Sequence, residues 1–368
     1  MKVVICGGGI IGLSCAYYLA KQNVSCIIVE QEDVACAASG RAGGFLSKTW
    51  CESNVCNDLA QLSFSLHMQL STVFTDVDYR NVTTYSAHVN KVNPVYFSNV
   101  PEELHWVDGP VTKCSLLETK ANTAQVHPKK LSYKFLEEAK KLTSNSTQII
   151  RGTVIGVGFD ESGEIPVVKT VKLRSGRIID TDAVLIAMGP WSHKASGWFP
   201  AGSIPQISSH RAHSVILKIP KTLQLTPDCL FLQYKNFRGT TCPEIYPRPD
   251  GTVYVSGFGD NAELPDRATE VQIERWRCSS LREVAYSTCS NLEASEVLVE
   301  QACFLPLSPD GVPLIGKIHS VHGAYIATAH SCWGILNSTG TGLAIAELIT
   351  TGKCHSLDLT PFQPNRFL

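Results

Sequence analysis

The chain has 368 residues, 44% of them hydrophobic, with 32 Lys plus Arg against 33 Asp plus Glu for a net charge of −1. At roughly 150 residues per domain, this length suits about two domains, each able to bury a core without disulfide staples. The balanced charge argues against a nucleic-acid binder, and the apolar content argues against disorder. Residues 2–6 read as a buried strand, 10–22 as a helix and 24–30 as a second strand, one βαβ unit at the start of the chain. A helix is expected over 57–74, then a looser polar stretch to about 125, then a helix over 131–142 with apolar side chains at helical spacing. Residues 148–158 and 167–173 read as strands, 174–177 as a turn, and 178–187 as an apolar return. From about 205 to 300 the pattern turns mainly antiparallel, with strands at 214–219, 230–234, 244–246 and 252–257 and a helix over 271–285. Strand and helix then return at 324–328 and 341–350.

The 14 cysteines run from Cys6 to Cys354 with no C-x-x-C pair, so zinc and dithiol redox sites have no local support. Cys51 and Cys56, the nearest close pair, match no ligand spacing. The expectation is reduced thiols, no metal and a cytoplasmic, intracellular setting. The apolar opening imitates a signal peptide, but Gly7, Gly8, Gly9 and Gly12 would break such a helix. No uncharged run of 18 residues suggests a membrane span. His210 and His213 flank Arg211 on an expected strand and are assigned to one face, with no third metal ligand nearby.

Gly7-x-Gly9-x-x-Gly12 lies between the first strand and helix, and Glu30 ends the next strand. In a dinucleotide site, Gly7 permits the tight turn, Gly9 admits the pyrophosphate and Gly12 lets helix and strand pack closely. The helix N-terminus offers N–H groups to phosphate, and Glu30 can accept from ribose hydroxyls, which disfavours NADP. NAD and FAD share this fingerprint. A second small-residue cluster follows at 37–45, and the segment 325–335 turns from a strand toward the helix expected near Thr341. Together they would bring both chain ends over one large cofactor. An NAD-dependent dehydrogenase leaves the last turn unexplained.

These blocks resemble the FAD-dependent oxidoreductases of the D-amino-acid oxidase superfamily, which includes glycine and sarcosine oxidases and fungal and plant relatives of unassigned substrate. The resemblance also rests on Val126-His127-Pro128, the segment 186–192 that contains Gly189, the block Pro306-Leu307-Ser308-Pro309-Asp310-Gly311 and the closing Gly334-Ile335…Thr341-Gly342. It implies an α/β fold, with a Rossmann-type FAD domain from 1–75, 125–204 and 300–368. Interleaved with it would be a mainly antiparallel substrate domain from 76–124 and 205–299. It implies FAD, with Ile10 and Ile11 on the pyrophosphate, Glu30 on the adenosine ribose and Gln31 beside it. Ser39, Gly40, Gly44, Phe45 and Leu46 would line the middle of the cofactor, and Val154 would offer backbone to adenine. Gly189 and the turn with Cys332, Trp333, Gly334, Ile335 and Leu336 would complete the set.

The implied chemistry is hydride transfer to flavin from the carbon of a C–N bond in an amine or N-substituted amino acid, with O2 or another acceptor reoxidising the flavin. The pattern departs from the family at two positions that carry substrate-carboxylate arginines, here Leu305 and Cys332. Arg211, Arg238 and Arg248 remain as basic candidates. Tyr246 and Arg248 would lie over the flavin face, against an exposed hairpin with a snorkelling Arg, and His330 would tune the ring or bind substrate, against a structural histidine bonded to backbone. Cys303 stands where a covalent flavin link would form, against the alternative of a buried core cysteine. Trp191 and Trp333 read as packing. The missing arginines also keep open an FAD-binding regulatory or trafficking factor without catalysis.

Overall fold

The computed structural model describes residues 1–94 and 100–367. The strand Val3–Cys6 is buried along its whole length and pairs in parallel with Cys26–Glu30 on one side and Ala183–Ile186 on the other. Val3 and Ile5 pack with the helix Ile10–Lys21, whereas Val4 and Cys6 pack with Val154, Val157 and Val168 behind the sheet. Both faces are covered, which is why the strand reads as an unbroken apolar run. The six-stranded sheet has the order Leu314–Lys317, Ala324–Thr328, Ala183–Ile186, Val3–Cys6, Cys26–Glu30, Gln148–Arg151. Its first pair is antiparallel and the other neighbours are parallel.

The strand expected over 148–158 is two strands. Gln148–Arg151 closes the parallel sheet, and Val154–Asp160 enters a separate antiparallel sheet with Val167–Leu173 and Ile178–Asp180. The break falls at Gly152 and Thr153, which line a cavity described below. Four residues inside the polar stretch, Thr84, Tyr85, Ala87 and Val89, are buried because Thr84–Asn90 pairs in parallel with Cys229–Asn236. Both strands belong to an eight-stranded, mainly antiparallel sheet that also holds Val111–Glu118, Ser208–Lys218, Gly239–Thr241, Glu244–Pro247, Thr252–Asp260 and Glu296–Leu307. One face of that sheet packs on Cys278, Leu281, Val284 and Ala285 of the helix Arg275–Thr288.

That helix starts later than its expected bound of 271, and the reason is local. Arg211 Nη1 donates to the carbonyl of Gln272 at 2.9 Å, and the Glu274 N–H donates to His213 Nε2 at 3.1 Å. These side chains satisfy backbone groups that a helix would otherwise use. The helix expected over 131–142 instead begins at Pro128, where proline suits the first turn and His127 caps it. The closing helix runs Gly334–Thr351 rather than from Thr341. Its glycines look like breakers, yet they are what close packing needs. A Cβ at Gly342 would lie 2.3 Å from Ser14 Oγ, and one at Gly340 2.4 Å from Ser63 Oγ. All 14 cysteines are free, and among the described residues no helix is long and apolar enough to cross a membrane.

Candidate active site

The turn after Val3–Cys6 is built by close approach. Gly7 has φ +114°, and a Cβ there would lie 2.3 Å from the Ala187 carbonyl oxygen. A Cβ at Gly12 would lie 2.2 Å from the Gly7 carbonyl oxygen, so this glycine serves helix–strand packing. Glu30 Oε2 accepts from the Gly8 N–H at 2.6 Å and Oε1 from the Glu32 N–H at 2.9 Å. Burial pushes the Glu30 carboxyl above its ordinary range, against the pull of those N–H groups. The Ile10 N–H, expected on a pyrophosphate, is taken by Ser39 Oγ at 2.9 Å.

A cavity of about 740 Å³ runs from this turn to the face of the eight-stranded sheet turned away from the helix Arg275–Thr288. Gly7, Gly9, Ile10, Ile11, Glu30, Gln31, Ser39, Gly44, Phe45, Val154 and Gly189 line it. Cys332, Trp333, Gly334 and Ile335 reach it from the C-terminal turn, together with His330, Tyr246 and Cys303. Five expected residues stand off its wall. Gly12 packs as described, and Gly40 lies against the Ala35 carbonyl, 2.1 Å from where its Cβ would be. Leu46 and Leu336 are core side chains, because both point into the helix-packed side of the parallel sheet. Arg248 is buried behind Tyr254, its guanidinium carbon 4.8 Å from the ring centroid, and Nη2 donates to the Ala42 carbonyl at 2.9 Å. It braces the small-residue loop and does not lie on the wall.

The other arginine candidates also leave the cavity. Arg211 pairs with Asp260 at 2.8 Å and Glu274 at 3.3 Å, while Arg238 lies exposed in a hairpin. His210 and His213 do not share a face. Three residues apart, their side chains fall on opposite sides of a strand. His210 lines the cavity with Nδ1 2.9 Å from Asn261 Oδ1, and His213 turns to the helix side. His330 is buried with Nε2 3.0 Å from Thr341 Oγ1, and burial drops its pKa to about 3, so it is neutral at physiological pH. Its neighbours Ala329 and Ser331 have φ of +62° and +52°, a conformation L-residues rarely adopt. Cys303 lies on the wall opposite Ala212, with its pKa raised by burial to about 11.

The sheet face is assembled by the period of two. Glu244 and Tyr246 point the same way from one strand, opposite Ser256 and Tyr254 on the next. Phe231 stands opposite Glu244 on the other side. The tyrosine rings stack, with centroids 5.9 Å apart at 10°. A Cβ at Gly43 would lie 2.4 Å from Tyr246 Cε2, so the glycine loop lies flat on this pair. Glu244 Oε2 accepts from the Tyr246 hydroxyl at 2.5 Å and from Ser256 Oγ at 3.3 Å. Trp50 joins the wall from a loop, its ring 4.6 Å from Phe231 and 6.2 Å from Trp333. Sequence reading missed Glu244, Phe231 and Trp50. Alternation about Tyr246 would have found Glu244, whereas nothing in the sequence signals the loop tryptophan.

The family described as DAO, FAD dependent oxidoreductase, matches residues 2–348. A Schizosaccharomyces pombe protein named as an oxidoreductase without a stated substrate is 31% identical over 389 residues, covering 99% of this chain and 97% of that protein. Glycine oxidase of Pseudomonas putida is 23% identical over 390 residues, covering 99% of this chain and 98% of the enzyme. Among solved structures, glycine oxidase of Geobacillus kaustophilus superposes with a TM-score of 0.81 at 19% identity, covering 100% of this chain and 99% of that one.

Proposed function

The chain belongs to the DAO family of FAD-dependent oxidoreductases, with FAD as its cofactor, and on that premise we propose that it oxidises a C–N bond of an amine or N-substituted amino acid. The family match overturns the NAD-dependent dehydrogenase reading. The observation that carries the proposal is the single cavity that joins the Gly7–Glu30 turn to the Glu244–Tyr246 sheet face.

The residues at the nucleotide end fit the cofactor. No Cβ is tolerated at Gly7 or Gly44, where it would lie 2.3 Å and 1.9 Å from carbonyl oxygens, so the backbone itself forms the wall. Gly7, Gly9 and Ile11, at the start of the first helix, would hold the pyrophosphate. Glu30 keeps lone pairs free for ribose hydroxyls, with Gln31 beside it, and Val154 would face adenine. Ser39 orders the phosphate turn through the Ile10 N–H. His330 to Ile335 and Phe45 would bound the ring end.

Bound FAD supplies a hydride acceptor, so that the substrate carbon bearing nitrogen leaves as an imine for water to hydrolyse. The chain's own part is to hold that carbon in place and keep bulk water away. Phe45, Trp50, Phe231 and Tyr246 provide the apolar walls, and neutral His330 adds no charge there.

Purified protein with flavin absorbance, bleached anaerobically by at least one member of an amine and amino-acid panel, is the expected result. Flavin that no compound bleaches would favour the non-catalytic role. Protein that takes up no flavin would end the proposal.

A further inference from the structure

The sheet end of the cavity carries a carboxylate and, among the described residues, no lysine or arginine. The two longer basic side chains on the wall stand at the other end. Arg174 bonds through its backbone N–H to Thr153 beside Val154 at 2.8 Å, and Lys194 pairs with Asp266 at 2.8 Å. Glu244 has no ion-pair partner among the described residues. Its Oε2 is taken by Tyr246 and Ser256, while Oε1 has no hydrogen-bond partner among them. Around it stand the rings of Phe45, Phe231 and Tyr246, with centroids 5.0 to 5.8 Å apart, and Trp50 beyond.

Resting on the amine-oxidation reading above, we propose that Glu244 is the group that recognises the substrate nitrogen, and that the substrate is an apolar amine without a carboxylate. A desolvated carboxylate with one empty oxygen is costly until a cation arrives. A substrate ammonium supplies that cation through a charge-assisted hydrogen bond to Oε1, and the aromatic faces favour both its charge and its apolar substituent. An amino acid would instead bring a second carboxylate beside Glu244, with no guanidinium to meet it. Leu305 and Cys332, both on the wall, offer no positive charge. The same contact prepares the nitrogen. One N–H bond of the ammonium breaks, Oε1 takes the proton, and the nitrogen keeps the electron pair that assists hydride departure from the adjacent carbon. The proton then passes to water.

The test uses the purified FAD-loaded protein with benzylamine as the probe. Binding is read from perturbation of the visible flavin band and from tryptophan fluorescence, and flavin bleaching is followed separately under anaerobic conditions. The expected result is saturable binding of benzylamine, none of glycine, sarcosine or benzoate at equal concentration, and a rise of about 30-fold in benzylamine Kd in Glu244→Gln with FAD content unchanged. Glu244→Asp, which keeps the charge, recovers part of the loss. No benzylamine binding, equal binding of glycine or sarcosine, or a Glu244→Gln Kd within about threefold of the original overturns the assignment. Should Glu244→Gln lose FAD, benzyl alcohol replaces the variant, and binding as tight as that of benzylamine overturns it. Glu244-dependent binding without bleaching upholds the recognition role and removes the oxidation reading. Bleaching by glycine or sarcosine alone does the reverse.

Discussion

Tyr246 donates its phenol proton to Oε2 of Glu244, two residues away on the same strand face, across 2.5 Å. The bond fixes the carboxylate plane and leaves Oε1 for a ligand. Burial raises the Glu244 carboxyl above the ordinary 4.5. The groups facing it are the hydroxyls of Tyr246 and Tyr254 and the thiols of Cys229 and Cys332, all with pKa values raised by burial and all neutral through the physiological range. Recognition of an ammonium needs the ionised carboxylate. As pH falls through the raised Glu244 pKa, kcat/KM for an amine therefore drops about tenfold per unit, and above it the acid limb is flat. The limb lies higher than a solvated glutamate would place it. In Glu244→Gln it disappears, and its persistence there assigns it to another group.

The glycine turn after the first strand was legible because its demands are local. Gly7, Gly9, Gly12 and Glu30 sit at fixed spacing within one βαβ unit, where packing excludes a side chain at Gly7 and Gly12 and Glu30 holds the Gly8 N–H. The aromatic face of the eight-stranded sheet was not, because its groups converge from distant strands. Phe231, Glu244 and Ser256 meet only through sheet pairing, and Trp50 comes from a loop. Arg248 misled for a related reason. It lies two residues beyond Tyr246 and so shares its face, yet Tyr254 covers it from the neighbouring strand. Helix ends failed where tertiary contacts outweighed local preference, as at Gly334, whose helix pays for its glycines by packing closely on Ser14 and Ser63.

Glu30 holds two loop N–H groups besides any ribose contact, so its loss acts twice. In Glu30→Ala the Gly8 and Glu32 N–H groups lose their acceptor, and the turn loses the link that sets it against the second strand. The expected outcome is FAD affinity weaker by about 100-fold, the scale of two charge-assisted hydrogen bonds. Titration of the apoprotein with FAD, followed by flavin fluorescence, measures it. Affinity within threefold would show that the turn is ordered by Ser39 alone.

Cys303 lies on the cavity wall, but its thiol has a pKa pushed up to about 11. The thiolate needed to attack a flavin methyl group is scarce at neutral pH. Acid precipitation of the holoprotein should therefore release the yellow colour into the supernatant, and Cys303→Ser should keep full FAD content. A yellow pellet that turns colourless in the serine variant would establish a covalent link.

Arg211 ties the strand Ser208–Lys218 to Asp260 and to the start of the helix Arg275–Thr288. It holds the Asp260 carboxyl at about 2, below its ordinary 3.8. A depressed carboxyl stabilises the fold fully above the ordinary value, and the contribution is lost as pH falls from about 4 toward 2. Arg277 remains 3.1 Å from Asp260, so Arg211→Met should cost about 2 kcal/mol at pH 7, less than a wholly orphaned buried charge. Urea midpoints should show this gap narrowing between pH 4 and pH 2. A gap constant with pH would assign the loss to packing.

Glu32, just beyond Glu30, joins three segments of the chain. Its buried carboxylate accepts from Arg267, from Thr269 Oγ1 at 3.1 Å and from Arg151 Nη2 at 3.3 Å. Arg267 holds that carboxyl below its ordinary range. Between the two partners on the far segment lies Ala268, which lines the cavity, and Trp191 Nε1 donates to the adjacent Pro265 carbonyl at 2.7 Å. Residues 265–269 therefore form a strap tied to Glu32 and Trp191, with Ala268 on the cavity wall. Glu32→Gln keeps the shape and removes the charge. The strap then holds by neutral contacts, and FAD should dissociate about tenfold faster, the scale of one charged hydrogen bond. At saturating FAD, turnover should be unchanged, because Glu32 lies away from the Glu244–Tyr246 end. Release rates measured with a flavin-trapping apoprotein decide this. Equal rates in the two proteins would mean that the strap does not limit FAD exit.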